Sequence, residues 1–408
     1  VRAGAGPSQA RATERVAVLD GLRGLCLVFM LMSHLQLTDG FALYALHPGQ
    51  LGFVQSAQGF FFVSGLLVGF VHIRACERGD CAAVRRRLWG RALLLYGWNL
   101  GLLVAVLGLA NAVPLSWAVY RWWLGELVEP GGSVTLLAAL LIYQPVYLDI
   151  LPQYIFFLLI SPWLLRWLAR KNWVAPVACV LATWLMVQLG AHKPLESALL
   201  AALTVIDPEP ALKGAFNPLA WQIVFFSGLI LGAVTKVWRL DWATILRPER
   251  RELVVLALVV LAICAAWRLM FTVGLMPDEI LERLKVLEHR REFGVLSVLN
   301  LAAFAWVFAW LLVAAPRADG ALRALGSAVR RLLGSGSLVL LGRHALPVFA
   351  FHVVLCYALR AVDWWYGPFV APLPSLIALL AVASLAIPAF VAEALRGKAV
   401  ALRPVGAG

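Results

Sequence analysis

Charged side chains are scarce in this chain. They make up 14% of the 408 residues against 62% hydrophobic ones, and the mean hydropathy is +0.84, a balance outside that of soluble globular proteins. Acids are scarcer than bases, with 22 Asp and Glu facing 35 Lys and Arg. The Lys and Arg lie in short segments between apolar runs rather than among exposed aromatics, so the basic excess reads as membrane topology and no nucleic-acid partner is expected. Cysteine is sparse too. Cys26, Cys179, Cys264 and Cys356 fall within apolar runs, and Cys76 and Cys81 lack a second pair or nearby histidines, so neither disulfide nor metal site is expected. The chain has no fixed-period repeat, low-complexity stretch or inverted halves of the kind many secondary transporters carry. Val1–Glu14 and the run after it lack a cleavable signal pattern.

What the chain has in abundance is apolar runs long enough to span a bilayer. They begin near Val16, Leu51, Ala92, Trp173, Phe216, Leu253, Val295, Ser335 and Leu373. An arginine-rich loop, Arg74–Arg91 with Arg85, Arg86 and Arg87, is expected after the second run. Met276–Gly294 carries Ile280, Leu281, Leu284 and Leu287 at the spacing of a short amphipathic helix. Between Gly131 and Ala169 the positions of Arg166, Arg170 and Lys171 allow one crossing only, so Ser133–Leu148 is expected to be interfacial or re-entrant. The expected fold is an all-α bundle of about ten transmembrane helices with both termini cytoplasmic. It comprises a tail over 1–15, one membrane domain over 16–394 and a tail over 395–408.

Within these runs a few polar groups demand a reason. Asp20, Arg23 and His34 stand in the first span, where each ionisable group is costly. At ~100° per residue the step from Arg23 to His34 makes about three turns, so both share a stripe with Asp20, Gly24, Leu27 and Leu31, and His34 lies roughly 16 Å further along the axis. That spacing suits a long ligand gripped at one end and reacted at the other. Arg23 also serves the positive-inside rule, with Asp20 as its partner. Other candidates are Asp149, Gln153 and Tyr154, in a proline-broken polar stretch that must be buried in protein or line a cavity. Asp149 also reads as a helix cap. Trp221 and Gln222 sit at a helix end where a sugar can stack on indole or an interfacial belt can form. Gly59, Ser64, Gly65 and Gly69 permit close helix approach.

The string Asp20-Gly-Leu-Arg-Gly with His34 resembles the first helix of acyltransferase 3 membrane proteins, and Gln58–Gly65 resembles their second. Within that family the chain looks most like the OpgC branch, through Asp149-Ile-Leu-Pro-Gln-Tyr154 and Phe216-Asn-Pro-Leu-Ala-Trp-Gln222. The Gly342 to His352 stretch resembles the last acyltransferase 3 motif, although Ala345 and Leu346 stand where the family has serine and tyrosine.

The resemblance implies an enzyme of the bacterial inner membrane that moves an acyl group from acyl-CoA, succinyl-CoA foremost, to hydroxyls of periplasmic osmoregulated glucans. It implies His34 as general base or as a transiently acylated group, with Arg23 at the thioester and Asp20 beside it. Arg85, Arg86, Arg87 and Arg343 would hold the cofactor. Asp149, Gln153, Tyr154, Trp221, Gln222 and His352 would serve the acceptor. An acetyl donor with another surface polysaccharide, or a proton-coupled carrier using the same His, Arg and Asp, stays open, as does the oligomeric state.

Overall fold

The computed structural model describes residues 7–50, 52–129, 132–208, 210–275, 279–280, 287 and 289–401. The chain order is α1 (Pro7–His34), α2 (Ser56–Glu77), α3 (Cys81–Ala112), α4 (Ser116–Leu124), α5 (Gly132–Ala139), α6 (Ile150–Ala169), α7 (Val174–Gln188), α8 (Lys193–Leu203), α9 (Pro218–Val237), α10 (Trp242–Ile245), α11 (Glu252–Thr272), α12 (Val295–Val313), α13 (Gly320–Leu333), α14 (Gly336–Arg343), α15 (Ala345–Tyr366), α16 (Leu373–Ser384) and α17 (Ala386–Ala401). No strand occurs among the described residues. Among the described residues nine helical spans are long and apolar enough to cross a membrane. Two bent pairs, α7 with α8 at 78° and α13 with α14 at 49°, raise the number to at most eleven. The expectation of an all-α, multi-pass membrane protein holds.

Two local expectations need correction. The Arg85–Arg87 run is not loop but the beginning of α3, which continues out of the apolar span because Ala and Arg are strong helix formers. The apolar run from Ser335 is not one helix. Its backbone leaves helical geometry at His344, with φ −105° and ψ 35°, and the membrane-length helix is α15. The segment before α6 is a short helix, α5, followed by irregular backbone in which Leu141 and Tyr147 have positive φ. Its amides are satisfied internally, Gln144 N–H donating to Lys213 O and Val146 N–H to Trp123 O, as a membrane environment requires. The amphipathic helix expected near Met276–Gly294 rests partly on Leu281 and Leu284, which lie outside the described residues.

The helices form two compact units. One comprises Val1–His47, Leu246–Arg251 and Phe308–Gly408; the other comprises Pro48–Ile245 and Glu252–Val307. In the second, α2 packs along α9 backbone to backbone. A Cβ on Gly65 or Gly69 would strike the carbonyls of Phe225 or Leu229, and one on Gly228 or Gly232 would strike those of Phe62 or Leu66. Lipid tails are as apolar as leucine, so such close van der Waals packing, rather than water exclusion, holds membrane helices together. In the first unit α1 packs on α14 in the same way, Gly24 meeting the Leu338 carbonyl and Gly342 the Asp20 carbonyl. The buried stripe of α1 includes Gly24, Leu27 and Leu31, as the helical spacing anticipates.

Candidate functional site

The contact between α1 and α14 brings a first set of polar groups together midway along α1. Asp20 and Arg23 pair at 3.9 Å, one helical turn apart. Arg343, at the end of α14, lies 3.8 Å from Glu393 of α17, and the buried His344 is hydrogen-bonded to the same carboxylate. The break between α14 and α15 therefore has a local logic, since it turns His344 toward Glu393 while Arg343 faces outward and half-exposed. Glu393 carries no signal in the sequence beyond being an acid in the last apolar run.

At the C-terminal end of α1, His34 Nδ1 lies 3.0 Å from His352 Nε2 of α15, with the two rings stacked at 5.2 Å and 24°. His352 is 0% exposed, with Phe349 edge-on at 4.9 Å, whereas His34 is half-buried. One imidazole must donate and the other accept across this contact, and the proton's location is set by tautomer rather than by the heavy atoms. With His34 Nδ1–H donating, the lone pair of His34 is on Nε2, which is the form of a general base. With the proton on His352 Nε2, His34 carries its own proton on Nε2, the form of a general acid. Interconverting the two forms moves two protons, the shared one across the contact and a second from His352 Nδ1 to His34 Nε2.

Beyond His34 the chain is tied to α15 a second time. Asp363, 3% exposed, accepts from Thr38 N–H at 3.2 and 3.3 Å and from Thr38 Oγ–H at 2.7 Å, and Arg360 lies 3.6 Å away. The segment then folds back. His47 stacks on Tyr44 at 5.5 Å and meets Phe29 of α1 at 5.7 Å, and its burial holds its pKa below the usual imidazole value. Neither Thr38 nor Asp363 stood out in the sequence. The only available signal was an acid inside the apolar run that α15 occupies.

Of the acceptor candidates, His352 lies in the first unit against His34, whereas Asp149, Gln153, Tyr154, Trp221 and Gln222 fall in the second, where the side chains of Asp149, Gln153, Trp221 and Gln222 bond to backbone. Asp149 accepts from Ala215 N–H at 3.1 Å, Gln153 Nε2 donates to Phe216 O at 3.3 Å and Gln222 Nε2 donates to Val180 O at 2.8 Å. Trp221 Nε1 donates to Arg290 O at 3.1 Å. Asp149 precedes α6 but makes no side-chain cap bond to it; complete burial pushes its pKa up to about 6, offset in part by the Ala215 bond and by Arg290. Trp221 is 0% exposed, boxed by Phe216 at 4.4 Å, Phe293 at 4.9 Å and Phe61 at 6.3 Å, so neither indole face is open to a sugar. Tyr154 is half-buried against Phe60 and Phe225. The structure thus joins Asp149–Tyr154 to Phe216–Gln222, two strings far apart in sequence, through hydrogen bonds that lock a loop over α6 and α9. Arg85, Arg86 and Arg87 are exposed on the first turns of α3 in this same unit. Among the described residues no cluster of three or more His, Cys, Asp or Glu is arranged to hold a metal ion.

A family model described as OpgC protein matches residues 15–397, which takes in nearly the whole chain. No curated protein and no solved structure matches it. The chain belongs to the OpgC protein family, and with that membership goes a membrane acyltransferase-like role.

Proposed function

We propose that this chain is an O-acyltransferase of the bacterial inner membrane that moves an acyl group, succinyl foremost, from cytoplasmic acyl-CoA to hydroxyls of periplasmic glucans. The observation that carries this reading is the His34–His352 contact at 3.0 Å, a proton-accepting pair at the end of α1, with Arg23 about three turns back along the helix and Arg343 on the neighbouring α14. The family supports the acyl-transfer class. The separation of Arg23 from His34, roughly 16 Å by helical rise, suits an extended thioester.

In the proposed step His34 Nε2 removes the proton of the acceptor hydroxyl as its oxygen attacks the thioester carbonyl carbon. The C–S bond then breaks, and the proton passes from the imidazolium to the departing CoA thiolate. The products are one ester and one free thiol, with no redox partner. General-base assistance of this kind contributes ~100- to 10,000-fold. Arg23 and Arg343 favour the anionic end of the donor, Arg343 by exchanging its 3.8 Å pairing with Glu393 for a phosphate. A second route, with His34 itself acylated, uses the same atoms and leaves the same products.

The test is transfer of labelled acyl groups by the protein in nanodiscs, with succinyl-CoA and acetyl-CoA offered separately to purified periplasmic glucan. Label on glucan from succinyl-CoA with stoichiometric CoA release is expected. Label from acetyl-CoA alone would redirect the donor assignment. No thioester consumption from either donor by folded protein would favour a carrier.

A further inference from the structure

We infer that Asp363 is a positioning residue: by holding Thr38, it fixes His34 against His352. This rests on the reading of His34 as the reacting group, but its geometry stands independently. α1 ends at His34, and the last helix-type bond in this turn is Leu35 N–H to Leu31 O at 2.9 Å. A side chain on the terminal residue of a helix has no following turn to hold it, and such ends fray unless tertiary contacts stop them.

Here the stop is supplied four residues on. Thr38 gives both its backbone N–H and its hydroxyl to the Asp363 carboxylate. Asp363 lies on α15, the helix that carries His352. One rigid element therefore grips the chain at the reacting imidazole and again just past it. The next anchor, Ala42 N–H to Ser375 Oγ at 3.1 Å, belongs to a different helix, α16, and to a more exposed part of the segment.

The chemistry of the clamp argues for more than loop tethering. A buried carboxylate is costly unless hydrogen bonds and an opposite charge compensate it. Asp363 is compensated by the Thr38 bonds and by Arg360 on its own helix, which in turn rests over the Trp364 ring at 5.5 Å. A charge-assisted bond to a backbone N–H is stronger and more directional than an apolar contact. It is suited to holding a neighbouring atom to a fraction of an ångström, and a shift of about 1 Å in a reacting group costs on the order of 100-fold in rate.

The experiment pairs two readouts on the full-length protein in nanodiscs. Thr38→Val removes the hydroxyl bond alone, Asp363→Asn removes the charge with little change of shape, and Thr38→Ser restores the hydroxyl. Acyl transfer gives kcat and KM for each. Solid-state 15N spectra of imidazole-labelled protein report the proton shared between His34 and His352 without any substrate. The expected result is a fall in kcat of about 10-fold for Thr38→Val and up to about 100-fold for Asp363→Asn, with KM nearly unchanged, recovery in Thr38→Ser, and weakening of the shared-proton signal in step. Unchanged spectra and unchanged kcat in folded variants, with only the melting temperature lowered, would overturn the inference. If the wild-type protein transfers no acyl group, the acyl-transfer reading fails. In that case the spectra alone judge the clamp: loss of the shared-proton signal supports it, and retention overturns it.

Discussion

The candidate-site residues of the two units use their polar side chains in opposite ways. In the first, side chains meet side chains: His34 with His352, Thr38 with Asp363, His344 with Glu393. In the second, side chains meet backbone: Asp149 with Ala215, Gln153 with Phe216, Gln222 with Val180, Trp221 with Arg290. A side chain bonded to backbone satisfies an amide or carbonyl that would otherwise be orphaned, and it is committed to architecture. A titratable pair keeps a proton that can move. The contrast separates polar groups in a membrane bundle that serve chemistry from those that serve folding, where the rarity of each alone does not.

Removing the indole of Trp221 should have the largest effect on the folding side of this contrast. Trp221→Ala opens a cavity between Phe216, Phe293 and Phe61 and leaves the Arg290 carbonyl without its donor. The expected cost is ~3–5 kcal/mol in unfolding free energy with turnover per folded molecule nearly unchanged. A selective rise in acceptor KM at full stability would instead make Trp221 a binding residue and erase the contrast.

Asp149 gives a pH-dependent version of the same test. Its folded pKa of about 6 lies above the ordinary 3.8 because burial disfavours the charge. The folded state therefore binds the proton more tightly than the unfolded state does. The stabilisation from this group is fully present below about pH 4 and is lost as pH rises through about 6, a span worth roughly 3 kcal/mol. Asp149→Asn keeps an acceptor for Ala215 N–H and should flatten this part of the stability profile, as thermal unfolding between pH 4 and 7 would show. An unaltered slope would mean that another group carries it.

On the chemical side, His352→Ala should lower kcat about 100-fold at nearly unchanged melting temperature, because His34 loses the partner that shares its proton. The smallest expected effect is that of Gln222→Leu, which removes the second hydrogen bond on the Val180 carbonyl, a group that keeps its bond within α7, at ~1 kcal/mol of stability and no change in kcat. Activity loss in Gln222→Leu together with tolerance in His352→Ala would invert the assignment of the two units.

The sequence made the spans legible because their apolar length is set by the bilayer, and it made Arg23 and His34 legible because helical spacing places them on one stripe. Gly65 and Gly69 were also readable, since small residues in an apolar run signal backbone contact, and α9 supplies that contact. The pairing of His34 with His352 was not, because the two are 318 residues apart and a histidine in a span reads equally well as bundle glue. Thr38 and Asp363 were invisible for a similar reason: their partnership exists only once α1 and α15 lie side by side. Arg85–Arg87 misled as loop because charge marks the end of a membrane span but not the end of a helix. The enclosure of Trp221 was hidden by its position at a helix end, where an indole more often faces the interface.

The account is tested most directly by the initial rate of CoA release from succinyl-CoA in the presence of glucan, measured for wild-type protein and His34→Ala in nanodiscs at matched folded concentration. The account predicts rapid glucan-dependent release by the wild type and a loss of about 100- to 10,000-fold in the variant. Glucan-dependent release by His34→Ala at a rate within a few-fold of wild type would contradict it.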